Sequence, residues 1–152
     1  MKKILFYATI CICCIFAGCQ SSEEIVVDAV ANANKLCPIK VSNDETIEKI
    51  DFVNNEISFS VTIDESAYSL NNLTYAQIKQ YESNPKMISK VMEKYLRWPD
   101  IEDAFKDISL SVAENRDLRF KAVCKGKDSG EVFVFKTTWR EVIQIPYLKI
   151  LK

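Results

Sequence analysis

The chain has 152 residues, 48% of them hydrophobic and 27% charged, so it can bury the core of one domain and is not a disordered segment. Twenty basic against 21 acidic side chains leave a net charge of −1, which excludes the basic surplus of a nucleic-acid partner. The absence of histidine removes Ser-His-Asp and Cys-His catalysis, imidazole metal ligands and the ordinary proton shuttle near neutral pH.

Lys2 and Lys3 precede an uncharged stretch over residues 4–16, and Phe16-Ala17-Gly18-Cys19 follows. A positive stub, a short apolar run and small residues before a cleavage point are the parts of a secretory signal. The run is well short of the ~20 residues that cross a bilayer as a helix. With a cysteine at the cut, Phe16-Ala17-Gly18-Cys19 resembles the lipobox of bacterial lipoproteins. That resemblance implies removal of residues 1–18, diacylglycerol on the Cys19 thiol and anchoring by fatty acyl chains, palmitate among them. Phe16 departs from the commoner leucine. A thiol suits lipid transfer because it is the best side-chain nucleophile, and two or more chains at about 0.8 kcal/mol per buried methylene hold firmly. An ordinary cleaved signal and an uncleaved anchor are the competing readings.

Gln20 stands where enterobacterial sorting uses Asp for inner-membrane retention, and so points to the outer membrane. Ser21-Ser22-Glu23-Glu24 resembles the acidic export signal of surface lipoproteins in Bacteroidota, while a solvated tether over residues 19–23 accounts for the same residues. Periplasmic and surface sides of the envelope both stay open. Loss of Lys2 and Lys3 takes the basic side chains to 18 against 21 acidic ones, a net of −3, over a single domain at 24–152.

In that domain Ile25, Val26, Ala29, Val30, Ala33 and Leu36 recur at helical spacing up to Cys37-Pro38, which predicts a first helix. Strict alternation follows, with Ile57, Phe59, Val61 and Ile63 on one face, and Ile50 and Phe52 alternate before it. Asn54-Asn55 lies between, and asparagine tolerates the positive φ of a two-residue turn. That turn sets Phe52 opposite Ile57 and Ile50 opposite Phe59. Residues 74–82 read as a short helix. Ser83-Asn84-Pro85 ends it and starts another, whose stripe is Met87, Ile88, Val91, Met92, Tyr95 and Leu96. Trp98-Pro99 breaks that helix. Ile101, Phe105, Ile108 and Val112, spaced four, three and four apart, predict a further one. Leu118, Phe120, Ala122 and Cys124 alternate toward Gly126-Lys127-Asp128-Ser129-Gly130, a turn from which Val132 returns. Thr138 with Glu141 resembles a capping box before a last helix from Trp139.

The expected fold is α+β: a single antiparallel sheet built from two β-hairpins, at about 46–64 and 117–137, with helices packed on one face. This order, with Asn34-Lys35-Leu36-Cys37-Pro38 before the first hairpin, is similar to small lipoproteins of Bacteroidota. The similarity implies no activity and no functional residues.

Cys11, Cys13 and Cys14 leave with the signal peptide, so Cys37 and Cys124 remain as free candidates. An even pair in an exported domain fits a disulfide, worth about 4 kcal/mol for so long a loop in the chain-entropy account. Two buried thiols fit as well. Without histidine they predict no zinc site, and no other metal or cofactor is expected. The 126–130 segment is a hairpin turn rather than a nucleophile elbow or phosphate loop. Asp100, Glu102, Asp103 and Asp107 could supply catalytic carboxylates, but acidic residues also stabilise a helix N-terminus. Aromatic side chains could build a ligand surface, with Trp98 and Trp139, each at an element boundary, as the first place to look.

Two functions fit. One is a non-enzymatic envelope module, held to the membrane through lipid on Cys19, that binds a protein or glycan partner; an inhibitor or immunity-type lipoprotein is a special case of it. The other is an envelope hydrolase or lyase that works with carboxylates alone.

Overall fold

A computed structural model describes residues 20–70 and 73–152. Helix α1 (Ser22–Asn34) is followed by strands β1 (Ile39–Lys40), β2 (Glu45–Val53) and β3 (Glu56–Ile63). A short ladder β4 (Ser69–Leu70) and β5 (Leu73–Thr74) leads to α2 (Tyr75–Ile78) and a 3-10 turn (Lys79–Tyr81). Then come α3 (Pro85–Leu96), α4 (Pro99–Ala104), α5 (Leu110–Arg116), β6 (Arg119–Gly126), β7 (Val132–Thr138) and α6 (Trp139–Val142).

Five strands form one sheet in the order β1-β2-β3-β6-β7. The pairs β1–β2, β2–β3 and β6–β7 are antiparallel, and β3–β6 is parallel. The α+β class therefore stands, but the expected all-antiparallel sheet is corrected to a mixed one. The reason lies in the helices between the strands. They bring the chain back to the end where β3 began, so Arg119 donates its backbone N–H to Asn55 O at 2.9 Å and β6 sets off alongside β3. A crossover of this length is what parallel neighbours require.

Asn54 and Asn55 hold φ of 51° and 60°, and β2 meets β3 with Phe52 opposite Ile57 and Ile50 opposite Phe59. Continuous rows cross the sheet on its inner face. Ile50, Phe59, Ala122 and Phe135 make one, and Ile47, Val61, Cys124 and Phe133 the next. A bulge at Glu48 returns Ile47 to the same face as Ile50 despite their spacing of three. Ser58, Ser60, Thr62, Lys121 and Lys136 point the other way, and no helix of the described residues packs on that face.

On the inner face lie Val26, Ala29, Val30 and Ala33 of α1 and Met87, Val91, Met92, Tyr95 and Leu96 of α3. Helix α1 begins at Ser22, inside the segment 19–23 that reads as a tether. Ser21 is its N-cap, and Ser21 and Glu24 close a capping box. The single helix expected over residues 101–112 is two, because Ser109 accepts from Val112 N and opens a new helix after the turn at Phe105. Its stripe is nonetheless buried: Ile101, Phe105, Ile108 and Val112 all face the core.

Edge strand β7 is covered. Glu82 accepts the Val134 N–H at 3.0 Å and the Tyr75 hydroxyl donates to Glu131 O at 2.7 Å, which removes edge groups that would otherwise invite another strand. The C-terminal segment is held by Leu151 N donating to Ile108 O at 2.9 Å and by Lys149 N donating to Glu102 at 3.1 Å.

Candidate functional site

Helix α3 buries a wider stripe than its contact with the sheet needs. Ile88 is half-buried beside Met92, and with Pro85 and Ile145 they line a groove of about 360 Å³ between α3 and α6. Its walls are mostly apolar, with Ser89, Gln144 and Glu141 among the polar groups at the rim. Glu141 is already engaged. Its carboxylate accepts from the Thr137 hydroxyl at 2.7 Å and from Thr138 N at 2.9 Å, and these bonds, the Thr137 hydroxyl foremost, hold its pKa below the usual carboxylate range. The groove thus offers methyl-lined surface and a fixed negative charge. No aromatic side chain lines it.

A second polar cluster lies inside the core. Glu45 opens β2 on the inner face with its side chain fully buried, and it accepts hydrogen bonds from Lys94 and from the Tyr95 hydroxyl. Tyr95 OH also lies 3.4 Å from Cys124 Sγ, and the Lys94 ammonium stands 5.5 Å from the Tyr68 ring centroid. Burial pushes the Cys124 thiol up to about 12 and the Tyr95 hydroxyl well above its ordinary value. A protonated, enclosed thiol is a poor nucleophile. This cluster ties the start of β2 to the end of α3.

Glu65 performs a third task. It accepts from Asp128 N at 2.9 Å and Ser129 N at 2.8 Å and so pins the β6–β7 turn. A Cβ on Gly126 would land on this carboxylate, which is why glycine stands there. The Ser129 hydroxyl first, then the Asp128 and Ser129 N–H groups, lower Glu65 from 4.5 to about 2. A depressed carboxylate stabilises the fold above its unfolded pKa and loses that contribution as pH falls through its folded one. The turn should therefore loosen between about pH 4.5 and about pH 2. NMR titration of the Glu65 carboxyl carbon should give a midpoint near the lower value, and Glu65→Gln should flatten acid unfolding across that window. A midpoint at the ordinary value would contradict the pinning.

Cys37 and Cys124 are both free thiols. Cys37 is half-buried at the end of α1, its Sγ 4.0 Å from Ala33 O, with burial and the nearby Glu48 and Asp51 raising its pKa. Cys124 is buried on the inner face of β6. Trp98 is half-buried at the start of α4. Trp139 is buried at the start of α6, with the Arg140 guanidinium 5.2 Å from its ring centroid. Neither lines the groove. Asp100 and Glu102 sit in the first turn of α4; Glu102 pairs with Lys149 at 3.3 Å, and Asp103 with Lys106 at 3.2 Å. Cys19 lies outside the described residues.

Among the described residues, no group of three or more Cys, Asp and Glu side chains converges as a metal site, and no helix is long and apolar enough to cross a membrane. Sequence reading placed Ile88 and Met92 on the α3 stripe but did not separate the groove side from the core side. A first hairpin from about residue 46 leaves Glu45 just outside it, although its spacing of two from Ile47 puts it on the buried face.

No protein-family model matches the chain, and no curated protein matches it in sequence. Among solved structures, the chain is similar to a Pseudomonas aeruginosa protein described as secreted. That likeness has 8% identity and a TM-score of 0.49, covering 83% of this chain and 98% of that one. It is also similar to the pilotin of the Vibrio vulnificus type 2 secretion system, with 11% identity and a TM-score of 0.47, over 80% of this chain and 94% of that one. Likenesses at this level bring no activity and no partner across to this chain.

Proposed function

We propose that the protein is a lipid-anchored envelope module that binds a protein partner, without catalysis, through the groove between α3 and α6. The apolar groove is the observation that supports binding. Aliphatic walls suit the side chains of a protein segment, whereas a glycan would need more polar groups and aromatic faces than Pro85, Ile88, Met92 and Ile145 provide. The anchor rests on the resemblance of Phe16-Ala17-Gly18-Cys19 to a lipobox, and the outer membrane is the expected address from Gln20. The carboxylate hydrolase has no observation in its favour. The displaced acidic groups, Asp64, Glu65 and Glu141, all titrate lower rather than higher, and the acidic residues after Pro99 serve α4 and the C-terminal segment.

The anchor is tested by Cys19→Ala. The expected result is unprocessed precursor and loss of diacylglycerol from the protein, read by mass spectrometry; unchanged processing would sink the lipoprotein reading. The groove is tested by Ile88→Glu, which should leave circular dichroism unchanged and weaken partner capture tenfold or more, since a charge in a desolvated apolar pocket costs several kcal/mol. Undiminished capture would move the binding surface elsewhere.

A further inference from the structure

The sheet face on which no helix of the described residues packs is basic, although the domain as a whole is acidic. Lys40, Lys49, Arg119, Lys121, Lys125 and Lys136 occupy it against Glu48, Asp51 and Glu56, while acidic side chains are in excess over the rest of the domain. Its charges are unevenly matched, with Lys49 paired to Asp51 at 2.7 Å. Lys121 and Lys136 stand directly opposite each other on β6 and β7, and like charges in register repel. Glu56 lies 3.6 Å from Lys121, and no ion pair of the described residues includes Lys136. An anionic surface laid over this row would relieve the repulsion.

The chain path says which surface can reach it. Only Gln20 and Ser21 separate Cys19 from α1, so about 10 Å of extended chain is the longest link between the lipid site and the folded domain. The start of α1 is fixed at one end of the sheet. Glu23 pairs with Arg116 at 3.2 Å, Arg116 donates to Asn55 at 2.6 Å, and Arg119 donates to Asn54 O at 2.6 Å. That end carries the β2–β3 turn, with Val53 63% exposed, and it borders the row of Arg119 and Lys121.

We infer that the open sheet face, around Arg119, Lys121 and Lys136, docks on the phospholipid phosphates of the leaflet holding the Cys19 lipid, with the Asn54–Asn55 turn nearest the bilayer. This rests on the anchored reading above. The groove lies on the opposite, helical face of the sheet, at the same end, since α6 follows Thr138, which stands opposite Arg119. Each basic residue close to an anionic surface is worth about fivefold in partition, so three of them dominate the orientation.

The test uses the processed, lipidated protein in vesicles of phosphatidylcholine, with or without phosphatidylglycerol. A photoactivatable residue is placed at position 53 or, at the far end, at position 128. Phospholipid adducts should form at 53 and not at 128, and they should rise about tenfold when phosphatidylglycerol is included. The variant R119Q/K121Q/K136Q, with unchanged circular dichroism, should lose that rise. Equal adducts at both positions, or adducts at 53 indifferent to phosphatidylglycerol and to the triple variant, would overturn the docking and leave the anchor intact. An N-terminal peptide without lipid on Cys19 would overturn the anchor reading, and the docking with it.

Discussion

Phe59→Ala should lower stability by about 3–5 kcal/mol and the melting temperature by roughly 10–20 °C. Phe59 is fully buried on the central strand β3. Its ring centroid lies 5.8 Å from that of Tyr95 on α3 and 6.4 Å from that of Phe105 after α4. Across the sheet it faces Ile50 on one side and Ala122 on the other. These neighbours are held on the sheet and on two helical segments and cannot close the space, so removing the ring leaves a cavity where they meet. A domain of this size has a total stability of about 5–15 kcal/mol, so the loss is a large share of it. Chemical denaturation of the wild type and variant measures it, and a change below about 1 kcal/mol would mean that the helices do not pack on β3 as described.

The second large effect concerns Glu45 and its partners, and its asymmetry is the informative part. Lys94→Met should destabilise by about 3 kcal/mol, because Glu45 then stays buried with a charge that Tyr95 alone cannot satisfy. Glu45→Leu should cost only about 1 kcal/mol. The Lys94 side chain is 30% exposed and can turn into water, while Tyr95 OH keeps the Cys124 sulfur as a neighbour. The double variant should be more stable than Lys94→Met alone. A double-mutant cycle in denaturant gives all three values, and purely additive losses would show that the pair does not interact.

Much of the fold was legible because local chemistry and burial agree. Asn54-Asn55 named its own turn, and the alternation on either side fixed which residues face each other. The four-three-four spacing of Ile101, Phe105, Ile108 and Val112 identified a buried stripe, yet it could not register the break at Ser109, since a stripe records which side is apolar and not whether the backbone is continuous. The parallel pairing of β3 with β6 was hidden for a different reason. Strand orientation depends on where the intervening helices deliver the chain, and no residue of either strand encodes that. The bulge at Glu48 likewise broke the alternation that would have tied Ile47, and Glu45 beyond it, to the inner face.

The groove illustrates the same limit. Ile88 and Met92 read as members of one helical stripe, but the space beside them exists only because α6 returns next to α3. Lys121 and Lys136 carry no motif. Only the register of β6 against β7 reveals that two like charges stand opposite each other.

If the anchored domain receives a protein partner between α3 and α6, in-cell crosslinking from the groove captures it most directly. A photoactivatable residue replaces Ile88 in the full chain, with Asp128 on the far turn as the control position. The expected result is one discrete protein adduct from position 88, absent from position 128 and lost when Cys19→Ala releases the domain from its membrane. Identical adduct patterns from both positions, or none above background at 88 while the protein is lipidated and folded, would contradict the claim.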